Sequence, residues 1–225
     1  MSLKPIVLWG SRGPNPPKVA FVLKELDLPF EHAPIEFSEV KQAKYLAINP
    51  NGRLPSIQDP NTNLTLWESG AIVEYLVEKY DTEYKISFAP DTPEYWHARQ
   101  YLYFQTTGQG PYFGQVVWFI RAHEEKLPSA VGRYVKEVIR VTTVLESILA
   151  KEKEIYPDTD GPWLVGNKYS YADLSFLPWY SVMKAVLTPE QFDVTSSPLV
   201  SEWLTKITER PAIKSVLQAN EPKKS

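Results

Sequence analysis

Asn49-Pro50-Asn51-Gly52-Arg53-Leu54-Pro55-Ser56-Ile57 and, one turn later, Leu66-Trp67-Glu68-Ser69-Gly70-Ala71-Ile72 decide how this chain folds. Each couples a short apolar run to polar residues at its edge, and together they look built to hold an extended peptide and its charged end. Leu54 to Gln58 and Leu64 to Trp67 read as strands, joined by Asp59-Pro60-Asn61-Thr62-Asn63, residue types that turns favour. Upstream, Pro5-Ile6-Val7-Leu8-Trp9 is a short apolar run ended by Gly10-Ser11, the profile of a buried strand. Val19, Ala20, Val22, Leu23 and Leu26 then recur at helical spacing. Asn suits an N-cap and Pro the first helical turn, so that helix is expected to begin at Asn15-Pro16-Pro17 with Asn15 as its cap. Phe30 to Phe37 reads as a further strand, and Gly70 to Tyr80 as a helix with Ile72, Val73, Leu76 and Tyr80 on one side. Residues 1–86 are thus expected to form a small α/β domain.

The pattern then changes. After a linker near Ser87 to Thr92, Asp91-Thr92-Pro93-Glu94 has helix-start chemistry and no sustained strand alternation follows. Tyr95 to about Lys126 reads as helical with an interruption near Gly108-Gln109-Gly110-Pro111, and Ser129 to Glu154 carries a long amphipathic repeat. Tyr171 to Val186, Pro198 to Arg210 and Ala212 to Gln218 complete an all-α domain over residues 92–225, whose polar tail Glu221 to Ser225 reads as a frayed end.

Bulk properties narrow the function. At 225 residues, 43% hydrophobic and 23% charged, the chain can bury a sizeable core. A net charge of −3 argues against an extended nucleic-acid surface. No apolar run reaches the roughly 18 residues of a membrane span, and Ile6 to Trp9 is too short for a signal-peptide core. A cytoplasmic location is the default. With no cysteine, disulfides and thiolate metal sites are excluded, and His32, His97 and His123 are scattered without metal-ligand spacing. Any thiol chemistry must come from a bound molecule.

Three stretches carry candidate chemistry, each with a structural alternative. The Leu54-Pro55 bond is trans by default; if cis, it would turn the Leu54 N–H and C=O outward to pair with a bound peptide. Ser69 reads either as the N-cap of the following helix or as a hydroxyl donor to a ligand carboxylate there, with Glu68 neutralising a nearby ammonium. A γ-glutamyl group carries both of those charges on one carbon, which points to glutathione. The loop from Ser11 to Lys18 reads as a capped turn in which Asn15 accepts from the Lys18 N–H. Its amide can nevertheless donate through nitrogen, so Asn15 is the preferred donor to a bound thiolate and Ser11 the second choice. Pro16 and Pro17 remove two free helix donors and shift the burden to side chains. Tyr101, Tyr103, Phe104, Tyr112, Phe113, Trp118 and Phe119 are mostly core, with a surplus beside a kink that could line an apolar pocket. Ser170-Tyr171-Ala172-Asp173 is a capping-type start to an apolar helix, with a purely structural role.

In order and spacing these segments resemble the cytosolic glutathione transferases over nearly the whole chain, most closely the fungal branch related to the yeast nitrogen-catabolite regulator and the bacterial nu class. The matching stretches are Ser11-Arg12-Gly13-Pro14-Asn15 with Lys18-Val19, Asn49 to Pro55, Trp67 to Ile72, Phe104-Gln105-Thr106 with Gly114-Gln115, and Trp163-Leu164-Val165-Gly166 running into Tyr171-Ala172-Asp173-Leu174. The resemblance implies a thioredoxin-like first domain with a cis bond before Pro55, an all-helical second domain, a homodimer and a detoxification role. It implies that Leu54 pairs with glutathione's backbone, that Glu68 and Ser69 bind its γ-glutamyl end, and that Lys41 and Arg53 lie near its glycyl carboxylate. Asn15 matches the asparagine this branch places near the sulfur. Phe104, Tyr112 and Trp118 would line the electrophile pocket. Glutathione is then a co-substrate, with no resident cofactor or metal. Pro16-Pro17 departs from the pattern, and no Asn/Gln-rich N-terminal extension is present.

Three functions compete. One is a transferase in which glutathione thiolate attacks a small electrophile. Another is a glutathione-dependent reductase of disulfides or peroxides, in which both sulfurs would come from glutathione. The third is a non-catalytic binding or regulatory protein on the same fold.

Overall fold

The computed structural model describes residues 2–219, so the tail from Glu221 lies outside the described residues. The chain divides into two compact units, Met1–Ser87 with Glu209–Ser225, and Phe88–Thr208.

In the first unit a four-stranded mixed sheet has the order β2-β1-β3-β4. Strand β1 (Ile6–Trp9) pairs in parallel with β2 (Phe30–Ala33) and antiparallel with β3 (Ser56–Asp59), which pairs antiparallel with β4 (Leu64–Trp67). Ile6, Leu8 and Ile57 supply the covered face. Strand β2 stops earlier than its sequence suggests because Pro34, with no N–H, follows Ala33. Strand β3 likewise starts at Ser56, after Pro55, and the Leu54-Pro55 bond is cis as the resemblance implied.

Helix α1 (Asn15–Glu25) crosses from β1 to β2 and packs against α3 (Ser69–Tyr80). A short helix α2 (Ala43–Leu46), not read from the sequence, seats Tyr45 in the interior. Two capping expectations change. Pro14 already has helical dihedrals (φ −79°, ψ −28°), so Asn15 is the first helical residue and makes no capping bond. At α3 the half-in residue is Glu68, with φ +71°, and Ser69 is the first residue inside the helix. That left-handed turn at Glu68 lets the chain leave β4 and enter α3 with no spacer.

The helical unit begins with α4 (Pro93–Phe104), capped by the Thr92 hydroxyl accepting from the Tyr95 N–H. The expected interruption is a π-helical turn over Gln105–Gln109, continued by α5 (Gly110–Arg121). Its stabilising partners are internal: Gln105 Nε2 donates to Gln109 Oε1 at 3.0 Å, and Gln109 Nε2 to the Phe176 carbonyl at 3.1 Å. Helices α6 (Pro128–Ile155), α7 (Tyr171–Val186) and α8 (Pro198–Glu209) follow. The Glu146 carboxylate on α6 accepts from the Leu199 and Val200 N–H groups and so caps α8.

The last described helix, α9 (Pro211–Ala219), belongs with the first unit and not with the helices that precede it. It packs on α1, and Arg210 just before it forms a bidentate pair with the buried Glu25 at 2.6 and 2.9 Å. Helix α1 is therefore covered on several sides, which is why Val19, Ala20, Phe21, Val22 and Leu23 are all fully buried.

Candidate functional site

The loop before β3 is braced from below. Asn49, 2% exposed, donates through Nδ2 to the Arg53 carbonyl at 2.7 Å and accepts the Asn51 N–H at 2.9 Å. Tyr45 OH also donates to the Arg53 carbonyl, at 2.8 Å. Gly52 closes this turn with φ +58°, and a Cβ there would sit 2.7 Å from the Val40 carbonyl oxygen. Gly52→Ala should therefore lower stability by about 1–3 kcal/mol, read as a shifted urea midpoint. An unchanged midpoint would show that the loop can shift to admit a methyl group.

What the brace presents is a peptide edge. Among the described residues neither the Leu54 N–H nor its C=O has a hydrogen-bond partner. Its side chain lies against Gly10 at the end of β1, where a Cβ would fall 2.8 Å from Leu54 Cδ1. Leu54 thus adjoins the loop that carries Ser11 and Asn15. Neither of those two side chains has a hydrogen-bond partner among the described residues, so both are free to donate to a ligand.

At the opposite end, Ser69 is held by a residue that the sequence motifs left without a role. Lys18, 1% exposed, donates from Nζ to Ser69 Oγ at 3.0 Å. Burial pushes its ammonium down from the usual lysine range to about 7, and the Glu68 carboxylate opposes that fall. Glu68 itself accepts from Asn51 Nδ2 at 3.5 Å, and Lys41 Nζ donates to the Asn51 carbonyl at 2.8 Å. The Arg53 side chain is exposed and has no partner among the described residues. Lys18 directly precedes five apolar residues, all buried with it, whereas Lys24 on the same helix is exposed, so residue type alone does not tell the two lysines apart.

The sign of the pH effect follows from the direction of the shift. The folded Lys18 value lies below the unfolded one, so between about pH 7 and 10.5 the unfolded chain binds more protons. This contribution is present above the unfolded value and lost as pH falls through about 7. Chemical denaturation should show wild-type stability rising across that interval more steeply than Lys18→Met. Parallel curves would refute the assignment.

The three aromatics expected in an electrophile pocket have separate surroundings. Phe104 packs on Phe176 and Tyr112 on Tyr134, Trp118 is 52% exposed, and among the described residues no ring contact joins the three. An apolar pocket of about 420 Å³ in the helical unit is lined by other residues, among them Phe119, Leu127, Val131 and Val135. No cluster of three potential metal ligands occurs among the described residues.

A mixed sheet in this order, with a proline-led strand and a strand-to-helix serine, followed by helices, defines the glutathione transferase fold. Residues 4–78 match the glutathione S-transferase N-terminal domain and residues 117–220 the glutathione S-transferase C-terminal domain. The glutathione S-transferase-like protein gedE of Aspergillus terreus is 55% identical over 221 residues, covering 98% of this chain and 97% of that protein. The glutathione transferase URE2P8 of Phanerochaete chrysosporium, solved with oxidised glutathione, superposes with a TM-score of 0.87 at 41% identity, covering 96% of this chain and 95% of that one. Ure2p in complex with glutathione gives a TM-score of 0.87 at 35% identity, covering 96% of this chain and all of that one. The chain belongs to the glutathione transferase family.

Proposed function

We propose that this protein is a glutathione transferase that holds glutathione along Leu54 and Ser69 and activates its sulfur as a thiolate for attack on a small electrophile. The observation that carries the reading is the set of uncommitted groups in one unit. These are the Leu54 backbone and the Asn15 and Ser11 side chains, joined by the Ser69 hydroxyl beside Glu68, whose oxygen accepts from Lys18 and whose proton stays available. They match, in order, a tripeptide's central backbone, its thiol and its γ-glutamyl head. Arg53 and Lys41 offer charge to the glycyl carboxylate. The glutathione bound in the related structures supports the ligand class.

The energetic demand is modest. A free thiol has a pKa of about 8.5, so a shift of about two units needs about 2.7 kcal/mol of preference for the anion. One hydrogen bond to a charged group contributes about 1.5–3 kcal/mol. A single side-chain donor is enough, and Asn15 is that donor in this reading.

Resemblance to the cytosolic transferases supports a cytosolic homodimer. The exposed Trp96 and Tyr103 on α4 offer aromatic area for a second copy. Residues 1–86 are proposed to hold glutathione and the helices of 92–225, apart from α9, which packs on α1, to serve the electrophile.

A reductase reading is favoured by one specific observation, the oxidised glutathione held by URE2P8. Calorimetry with reduced and oxidised glutathione, then assays with an electrophile and a disulfide, separates the cases. Saturable binding of reduced glutathione with conjugation of the electrophile is the expected result. Equal affinity for the oxidised form with only disulfide turnover would move the assignment to a reductase. No binding at millimolar concentration would leave a non-catalytic protein.

A further inference from the structure

We infer that Lys18 is a positioning residue for the γ-glutamyl carboxylate of glutathione, aligning the Ser69 hydroxyl from beneath the site. This rests on the glutathione-binding reading and adds to it a buried residue that does not itself touch the ligand.

The argument starts from hydrogen-bond polarity. An ammonium has three donors and no acceptor, whereas a hydroxyl has one proton and two lone pairs. With Lys18 Nζ donating to Ser69 Oγ at 3.0 Å, the oxygen is committed as acceptor on that side. Its single proton is then left for the open side, where a carboxylate at the start of α3 would receive it. Ser69 is 8% exposed and Lys18 1% exposed, so the hydroxyl is the outer member of this bonded pair.

The second part of the argument is cost. Burying an ammonium is unfavourable, and a hydrophobic side chain of the same volume would fill the space between α1 and α3 more cheaply. The Glu68 carboxylate acts on it by charge, and the φ of +71° at Glu68 turns that residue between β4 and α3. Lys18 and Glu68 therefore flank Ser69 with opposite charges, buried beneath and exposed beside it. That pattern fits a head group whose ammonium and carboxylate share one carbon. The hydrogen bond that Ser69 relays to a carboxylate is strengthened where water is excluded.

The test uses two peptides and three forms of the protein. Glutathione, and glutathione whose γ-glutamyl α-carboxylate is amidated, are titrated by calorimetry into wild type, Lys18→Met and Ser69→Ala. Lys18→Met should weaken glutathione about tenfold while leaving the amidated peptide within twofold of wild type. Turnover at saturating glutathione should stay within about twofold, because only binding changes. In the Ser69→Ala background, Lys18→Met should add little further loss, since the two act in series. If Lys18→Met does not fold, Lys18→Gln, whose shorter side chain withdraws the donor from Ser69 Oγ while staying polar, should likewise weaken glutathione more than the amidated peptide. Equal weakening of both peptides, or of neither, would overturn the inference while the glutathione reading stands. Failure of wild type to bind glutathione would overturn both.

Discussion

Asp173→Ala should be the most damaging single substitution in the helical unit, lowering its stability by about 3–5 kcal/mol. Asp173 is fully buried, and both of its oxygens are in use. Oδ1 accepts from the Leu164 N–H at 2.9 Å and from Trp203 Nε1 at 2.9 Å. Oδ2 accepts from the Ser170 N–H at 2.9 Å and the Ser170 hydroxyl at 3.0 Å. One carboxylate thus ties the segment before α7, the start of α7 and the middle of α8 to a single point. Alanine leaves four buried donors with no acceptor, each costing desolvation that water no longer offsets. Burial raises this carboxyl to about 6 and the four donors oppose the rise, so at neutral pH an acceptor-only group faces all of them. Asp173→Asn would not restore the site, because an amide has one acceptor oxygen and turns its NH2 group against two donors. Urea denaturation followed by tryptophan fluorescence reads the effect directly. A midpoint within experimental error of wild type for either variant would refute this account of the helical core.

The largest expected effect on chemistry is Asn15→Ala, which should lower turnover on a chloronitrobenzene-type substrate by about 10–100-fold at neutral pH. The same change should raise the pKa of bound glutathione by one to two units, about 1.4–2.7 kcal/mol in the preference for thiolate. Asn15 sits at the first position of α1 and its amide carries no intramolecular bond, so no structural task competes with donation to sulfur. Pro16 and Pro17 follow it, so two positions of that first turn have no N–H to offer in its place. Ser11→Ala is the matched comparison, since its hydroxyl is equally uncommitted. The thiolate absorbance of the bound peptide, titrated against pH, separates loss of activation from loss of binding. Wild-type titration in Asn15→Ala with a shifted one in Ser11→Ala would transfer the role to the serine.

Elements with strong local signals were legible in the sequence. Tyr171–Val186 has its start written in Ser170 and Asp173, and the short apolar run ended by Gly10-Ser11 has the profile of the buried strand β1. The misplaced details share a cause: they depend on where one residue's dihedrals fall. Asn15 has good capping chemistry, but Pro14 entered the helix first and displaced it. Ser69 lost the capping position because Glu68 adopts a positive φ, which a glutamate seldom does and which no sequence rule predicts. Lys18 is hidden from sequence rules for a different reason. A lysine is assumed to reach water, and only the layers on both sides of α1 show that this one cannot. Helix α2 was too short for periodicity to register.

The return of α9 to α1 has a consequence for how the molecule is made. During synthesis the first unit emerges with Glu25 already placed on α1 but without Arg210, which pairs with it from far along the chain. Until the last helices leave the ribosome, a carboxylate destined for the interior has no counter-charge and one flank of α1 lies bare. The nascent sheet therefore lacks this cover on α1 while the whole helical unit is translated. Truncation after that unit would yield a protein whose second half is complete and whose first half is not.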